Sequence, residues 1–266
     1  MDHSNGLQSV DDFTKKLRGE PQTVNGTCDA HGDWSMNTYT KYPDNLKTCP
    51  KCRQEASDEK DRKEAEAKAK AAADRRHKGL IQSGVSVRHM ERTFDSFVAD
   101  TAEQVAARDR CKSLVDGILK NPERQPSLIL CGKPGTGKTH LSCAMIVALF
   151  DGGKNVCRIS AADMVREFKD SWRKDSEFDE TRLLNYYGGL DLFILEEIGV
   201  QYGSDTERMF IFEVVNRRYE NCLPTVLVSN LDPDKLRDEV GERVMDRLRE
   251  DGGKMVKFTG DSWRKQ

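Results

Sequence analysis

Ser127-Leu128-Ile129-Leu130-Cys131 leads without a break into Gly132-Lys133-Pro134-Gly135-Thr136-Gly137-Lys138-Thr139, and an apolar helical pattern opens at His140 and runs to Phe150. A short apolar strand, a glycine-rich turn and a helix, in that order, suit the phosphates of a nucleotide. The glycines let the backbone amides curl inward with no Cβ in the way, and the helix turns its positive end toward the bound anion. Within such a loop Lys138 reaches the β and γ phosphates and Thr139 sets its hydroxyl on Mg²⁺, so the residues from Gly132 to His140 form the expected cofactor contact.

Downstream, helical periodicity alternates with short apolar runs, the pattern of an α/β fold with a mainly parallel sheet. Helices are expected at 102–120, 161–173, 206–221 and 242–249, and strands at 127–131, 155–160, 191–195, 224–228 and 255–258. Ser160 and Asp163 pair as an N-cap for the helix that follows them. The strand 191–195 runs into Glu196 and Glu197. A carboxylate at the end of a buried strand beside a phosphate loop holds Mg²⁺, and a neighbouring one polarises the attacking water; by position Glu196 takes the first role and Glu197 the second. The strand 224–228 ends in Ser229-Asn230, whose amide suits holding that water or sensing the γ-phosphate.

Upstream, Cys28 and His31 lie three apart, as do Cys49 and Cys52. Two such pairs across a short turn-rich loop supply three thiolates and one imidazole, a closed tetrahedral set that fits a structural zinc. Cys111, Cys131, Cys143, Cys157 and Cys222 stand singly among apolar residues and read as small core side chains. Trp34, Tyr39 and Tyr42, with Lys41 and Lys47, either pack around the metal or offer faces to bases or a partner. Residues 53–78 are rich in Ala, Glu, Asp, Lys and Arg with no apolar stripe, a solvated helix laced by charge pairs, serving as spacer or docking element. Gly79 and Gly84 are expected to break it, with an extended linker through Val85, Val87 and Met90 leading to Phe94. The chain then divides into a flexible N-terminus (1–25), a zinc-binding module (26–53), a charged helix and linker (54–93) and a nucleotide-binding domain (94–266).

The composition sets limits on this division. Charged residues make up 33% of the 266 positions and hydrophobic ones 36%, so part of the chain adds little to a core. A formal charge of −2 excludes a globally basic nucleic-acid coat but leaves room for local basic patches. No run approaches the roughly 20 apolar residues of a membrane span, and no export signal is recognisable, so a cytoplasmic, reducing setting is expected, with the cysteines unpaired.

The phosphate loop, Leu195-Glu196-Glu197-Ile198-Gly199-Val200-Gln201, Ser229-Asn230, Gly241-Glu242-Arg243-Val244-Met245-Asp246-Arg247-Leu248-Arg249 and Asp261-Ser262-Trp263-Arg264 together resemble the DnaC-type replicative helicase loaders, within the AAA+ ATPases. The likeness covers 85–266, and the run around Arg247 is specific to DnaC and the related IstB transposition ATPases. The Cys-rich N-terminus resembles those of phage and prophage versions. The resemblance implies an AAA+ P-loop ATPase fold with a central parallel sheet. It also implies a vestigial lid, since eight residues follow Phe258. It further implies Asn230 as sensor 1, Arg247 as a finger reaching a neighbouring subunit's γ-phosphate with Arg243 assisting, and Arg264 as sensor 2. Lys169, Trp172 and Arg173 match in position an element that contacts single-stranded DNA, although Trp172 equally suits anchoring its helix to the core. In this class the acid at position 196 is normally Asp, and Glu is one methylene longer, which leaves the hydrolysis rate open.

What the resemblance implies for function is a loader that uses ATP, Mg²⁺ and Zn²⁺, binds a hexameric replicative helicase and single-stranded DNA, and assembles in a spiral on the helicase. An IstB-like transposition ATPase and a nucleotide-gated DNA-binding adaptor with weak or no hydrolysis are the alternatives.

Overall fold

The computed structural model describes residues 15–42, 48–173, 175, 179–199, 205–260 and 262. Two units meet in sequence at Ala73 and Asp74. In the first, β1 (Pro21–Cys28) pairs antiparallel with β2 (Gly32–Tyr39), in register from Pro21 opposite Tyr39 to Cys28 opposite Gly32. The residue pattern places a flexible end over 1–25 and a turn-rich loop between Cys28 and Cys49, whereas β1 already begins at Pro21 and β2 occupies the start of that loop. Both strands are polar and thin, so no apolar alternation announces them. Trp34 instead lies across the hairpin on its partner Gly26, where a Cβ would stand 2.6 Å from the indole ring. Tyr39 has the Arg18 guanidinium over its ring, and the Tyr42 hydroxyl accepts from Arg53.

Helix α1 (Pro50–Gln82) follows and crosses the division. Its exposed face carries Arg62 against Glu59 and Glu66, Lys63 against Glu59 and Lys60 against Glu64. Such pairs contribute only a few tenths of a kcal/mol each, but they support a helix that has little to bury. The expected break at Gly79 does not occur. That glycine lies inside α1 because the Phe150 ring packs onto it, 2.2 Å from where a Cβ would be. The helix ends instead at Gly84, with φ +84°, a left-handed cap.

The second unit is a sheet with helices on both faces. It comprises α2 (Ala102–Lys120), β3 (Leu128–Gly132), α3 (Lys138–Asp151), β4 (Val156–Ser160), α4 (Ala161–Ser171), α5 (Glu180–Gly189), β5 (Leu192–Ile198), α6 (Asp205–Glu220), β6 (Thr225–Ser229), α7 (Pro233–Val240), α8 (Glu242–Arg249) and β7 (Lys254–Phe258). The strands are all parallel, in the order β4-β5-β6-β3-β7. Alternate strand residues feed two cores. Leu128, Leu130, Ile194, Val226 and Val256 pack with α2 and α3, while Ile129, Cys131, Phe193, Leu195 and Leu227 pack with α4 to α8. Strands buried on both faces read as continuous apolar runs, which is why β3, β5 and β6 are the most legible of the five.

The upstream edge of the core differs from the expectation. Leu80 and Val85 are fully buried in it, so the packed unit includes the end of α1 and does not begin at Phe94. Arg76 forks onto Asp151 through two bonds of 2.7 Å, fixing that end against α3. Val87–His89 form a turn of 3₁₀ helix where an extended linker was expected. The helices α5 and α7, absent from the pattern reading, are capped by Asp179 and Asp232. At the start of β6 the buried Arg218 donates to Thr225 Oγ1, Tyr187 O and Pro224 O, tying α5 and α6 to the sheet.

The chain leaves β3 for the far edge at β4, returns through β5 and β6, and crosses to the other side of β3 only at β7. That reversal opens a crevice at the carboxyl end of β3, where an open α/β sheet binds its ligand. No helix among the described residues is long and apolar enough to cross a membrane.

Candidate nucleotide site and metal centre

The glycine loop lies in that crevice. Gly132, Gly135 and Gly137 have φ of +124°, +79° and +104°. A Cβ at Gly132 would stand 2.3 Å from the Phe258 carbonyl oxygen and one at Gly137 2.6 Å from the Phe97 ring, so the cradle closes only with glycine there. Gly137 caps α3, whose first residues are Lys138, Thr139 and His140. Lys138 is 5% exposed, and its ammonium donates to Gly132 O and Lys133 O, each at 2.7 Å. Thr136 closes the loop by donating to Lys133 O. His140 Nε2 donates to Thr93 O at 2.9 Å and its ring meets Phe97 edge-on. Burial lowers its pKa, which favours the neutral ring.

A cleft of about 880 Å³ opens over the loop. Its lining brings together Pro134, Lys138, Thr139, Glu196, Glu197 and Asn230, from three separate parts of the sequence. Adjacent strand residues normally face opposite sides of a sheet. Here the β5–β6 pairing shifts between Leu195 and Ile198, and Glu197 adopts φ +59°, so both acids reach the cleft. Ser229 holds the neighbouring strand end in place by donating to Ile198 O, which leaves Asn230 exposed at the rim. Arg88, His89 and Arg92 also line the cleft. They come from the segment whose pattern predicts a linker, and their basic spacing before Phe94 is the only sequence signal they give.

Glu196 is 4% exposed and does not stand free. It accepts from Ser142 Oγ on α3 and forms an ion pair with Arg158 on β4. Burial is the largest single influence on the Arg158 pKa and lowers it, but the Glu196 charge and hydrogen bond, together with the neighbouring Cys143 and Glu197, outweigh it and the net shift is upward. An arginine in the apolar run Val156-Cys157-Arg158-Ile159 is a visible signal, since a buried charge needs a partner.

The other candidates lie elsewhere. Arg247 stacks over the Phe212 ring at 4.8 Å and near Tyr219 at 5.6 Å, and its Nη1 donates to Arg243 O. It shares a small cavity with Ser127 and Thr225, which stand at the amino ends of β3 and β6. That is the end of the sheet opposite the phosphate loop. Arg243 is exposed. Trp172 is 57% exposed; its Nε1 donates to Glu180 and its ring lies 5.7 Å from Phe210, so it is partly anchored and still presents a face. Lys169 and Arg173 flank it, Arg173 paired with Asp170 at 3.4 Å. Arg264 lies outside the described residues.

In the first unit the ligand atoms of Cys28, His31, Cys49 and Cys52 all lie within 4.8 Å of one another. Cys28 and His31 flank the hairpin turn, while Cys49 and Cys52 open α1. Cys52 Sγ is 3.3 Å from both Cys28 Sγ and His31 Nδ1, and Nδ1 is 3.7 Å from Cys49 Sγ. A tetrahedral zinc with bonds of about 2.3 Å sets neighbouring sulfurs about 3.8 Å apart, so the set fits that ion after small adjustments. His31 Nε2 donates to Glu55 at 2.9 Å, which turns Nδ1 toward the sulfurs. The Cys28 thiol is drawn down to about 6 by its hydrogen bond with Cys52 and by the Ala30 amide.

The sequence profile of the family described as "IstB-like ATP binding protein" matches residues 64–266. The chain is 35% identical over 183 residues to the replicative helicase loader DnaC of Escherichia coli (strain K12), covering 69% of this chain and 73% of that protein. The crystal structure of the DnaC helicase loader superposes with a TM-score of 0.58 at 22% identity, over 65% of this chain and all of that one, a likeness of fold. AMPPCP-bound DnaA from Aquifex aeolicus gives 0.54 at 25% identity, over 64% of this chain and 51% of that one.

Proposed function

From the premise that the chain belongs to the family of IstB-like ATP-binding proteins and DnaC replicative helicase loaders, we propose that it is an ATP-dependent loader, which binds a hexameric replicative helicase and deposits it on single-stranded DNA. The observation that carries this reading is the single cleft in which the glycine cradle, Lys138, Thr139, both acids and Asn230 converge. Lys138 exchanges its two loop carbonyls for phosphate oxygens. Thr139 and Glu196 hold the Mg²⁺ that neutralises phosphate charge. Glu197 orients and polarises the attacking water, and Asn230 senses the γ-phosphate from the rim.

Arg247 sits at the far end of its own sheet, so a role as finger requires a second copy, in keeping with self-assembly in a spiral on the helicase. Arg243 assists it, and Arg264 completes the set as sensor 2. The exposed face of Trp172, with Lys169 and Arg173, suits stacking on a base and pairing with the backbone of single-stranded DNA. The Cys₃His hairpin module and the charged face of α1 dock on the helicase. The test is copurification with a hexameric replicative helicase: a complex that forms with ATP and not with ADP supports the reading, and no complex in either state overturns it. The grip of Arg158 on Glu196 favours one variant of this reading, in which hydrolysis is slow and nucleotide occupancy itself is the signal.

The metal module makes a separate prediction. Protein purified without chelator should carry one zinc per chain, and Cys49→Ser should lose it and unfold the hairpin, since a structural zinc supplies most of the folding energy of so small a unit. Nucleotide affinity should stay within about twofold of the parent, because the cleft draws on other residues. Metal analysis with fluorescent ATP titration reads both; zinc retained by Cys49→Ser refutes the ligand set.

A further inference from the structure

β4 is one of the two edge strands of the sheet, and Arg158 sits at its middle. Its main-chain N–H donates to Ser83 O at 3.0 Å. A Cβ at Gly84 would stand 1.7 Å from the Arg158 carbonyl oxygen, so only glycine lets the turn that ends α1 lie on this edge. The guanidinium, 17% exposed, then forks. Nη1 donates to Gly84 O at 2.8 Å, and Nη2 donates to the Glu196 carboxylate. The other Glu196 oxygen accepts from Ser142 Oγ, four residues beyond Lys138 on the same helix. One arginine therefore ties the turn after α1 to the acid of the nucleotide cleft.

A buried carboxylate neutralised by a guanidinium must change partner before it takes a metal. Two cations on the same oxygens repel strongly where water is excluded, and the carboxylate satisfies only one of them well. The length of Glu196 fits this arrangement, because its longer stem lets one carboxylate reach Ser142 and Arg158 together. We propose that Arg158 is a positioning residue for Glu196: it holds the carboxylate on the β4 side of the cleft, competes with the divalent cation for it, and passes the exchange to the Ser83-Gly84 turn at the end of α1. The inference rests on the reading of Glu196 as the metal-site acid. It adds a residue outside the phosphate loop that sets how much metal the site requires and links metal loading to the helix that leads to the Cys₃His module.

The full-length chain is titrated with Mg²⁺ in the presence of a fluorescent ATP analogue, binding and phosphate release being read in parallel. Arg158→Gln removes the competing charge and should lower the half-saturating Mg²⁺ for binding roughly tenfold, with metal-free nucleotide affinity unchanged within about twofold. Arg158→Lys keeps a charge without the fork and should lower it about threefold. A residue that merely props up the fold would not tighten metal binding when removed. An unchanged or raised Mg²⁺ requirement in folded Arg158→Gln overturns the proposal, and if that variant fails to fold, the same result in Arg158→Lys does so.

Hydrogen exchange in the parent protein is the second readout. The amides of Arg158, Gly84 and Val85 bond to Ser83, Ile81 and Leu80. They should exchange several-fold faster once Mg²⁺ and nucleotide are added together, and indifference there overturns the link to the turn. Glu196→Gln separates the two levels of inference. If it raises the Mg²⁺ requirement while Arg158→Gln changes nothing, the Arg158 proposal alone falls; if neither variant moves it, Glu196 is not the metal acid and the assignment of the cleft falls as well.

Discussion

Lys138→Ala is expected to lose ATP binding at concentrations that saturate the parent protein. The ammonium is almost completely buried and is satisfied by two loop carbonyls, Gly132 O and Lys133 O. A bound nucleotide substitutes charged phosphate oxygens for these neutral acceptors, and hydrogen bonds to a charged group contribute about 1.5–3 kcal/mol each. Removing the donor leaves phosphate charge uncompensated in a cradle otherwise built from amides, so affinity should fall roughly 10- to 100-fold for each such bond lost, at 1.4 kcal/mol per tenfold. The fold should survive, because the glycines set the loop shape and α3 is held by its own buried face, from Leu141 to Leu149. Titration with a fluorescent ATP analogue, alongside a thermal melt, reads both effects. Lys120→Ala, at the exposed end of α2, is the matched control and should bind as the parent does. Equal affinity in Lys138→Ala and the control would refute the phosphate-loop assignment.

Much of the second unit was legible because a parallel sheet buries both faces of its strands. Leu192-Phe193-Ile194-Leu195 and Val226-Leu227-Val228 are apolar throughout, and their shortness and β-branched or aromatic content favour a buried strand over a buried helix. The hairpin of the first unit was hidden for the opposite reason. Pro21–Cys28 and Gly32–Tyr39 bury almost nothing, so their strand character follows from pairing and from the four ligand residues rather than from hydrophobic alternation. The helix α7 did carry a signal, Asp232 as cap followed by Pro233, but is too short for periodicity to show.

The site was half legible. Motif spacing marks Lys138, Thr139 and the acid pair, because the chemistry fixes their order along strand, loop and helix. It does not mark what reaches the cleft from a distance. Arg88, His89 and Arg92 arrive because Leu80 and Val85 anchor the end of α1 in the core, a packing fact with no local signature. Arg158 arrives because β4 is at the edge and Gly84 lets a turn close over it. Likewise, a run of residues around Arg247 identifies a helix, whereas only the sheet order shows at which end of the molecule that helix delivers its side chain.

That placement leads to the second large effect, expected for Arg247→Ala. In its own chain Arg247 lies beside Ser127 and Thr225 at the amino ends of their strands, whereas the phosphate loop follows the carboxyl end of β3, a strand of five residues. At about 3.3 Å per residue the two ends are some 15 Å apart, beyond the reach of a side chain stacked on Phe212. A guanidinium that stabilises charge on a transferring phosphoryl group must therefore come from a neighbouring copy, and such a group contributes 10³–10⁵ in rate in other systems. Arg247→Ala should bind ATP within about twofold of the parent, yet lose nearly all hydrolysis that depends on assembly, together with loading. Release of Arg247 from Phe212 and Tyr219 should cost about 1 kcal/mol or less in stability, which a melt will show as a small shift. Mixing the variant with Lys138→Ala gives the decisive measurement. In mixed assemblies an intact phosphate loop from one variant meets an intact arginine from the other at a fraction of interfaces, so phosphate release should return in part, although neither protein is active alone. No recovery from variants that demonstrably co-assemble would show that the arginine does not act across a shared site. Arg247-dependent hydrolysis by an isolated monomer would show that the chain brings its two ends together in a way the sheet forbids.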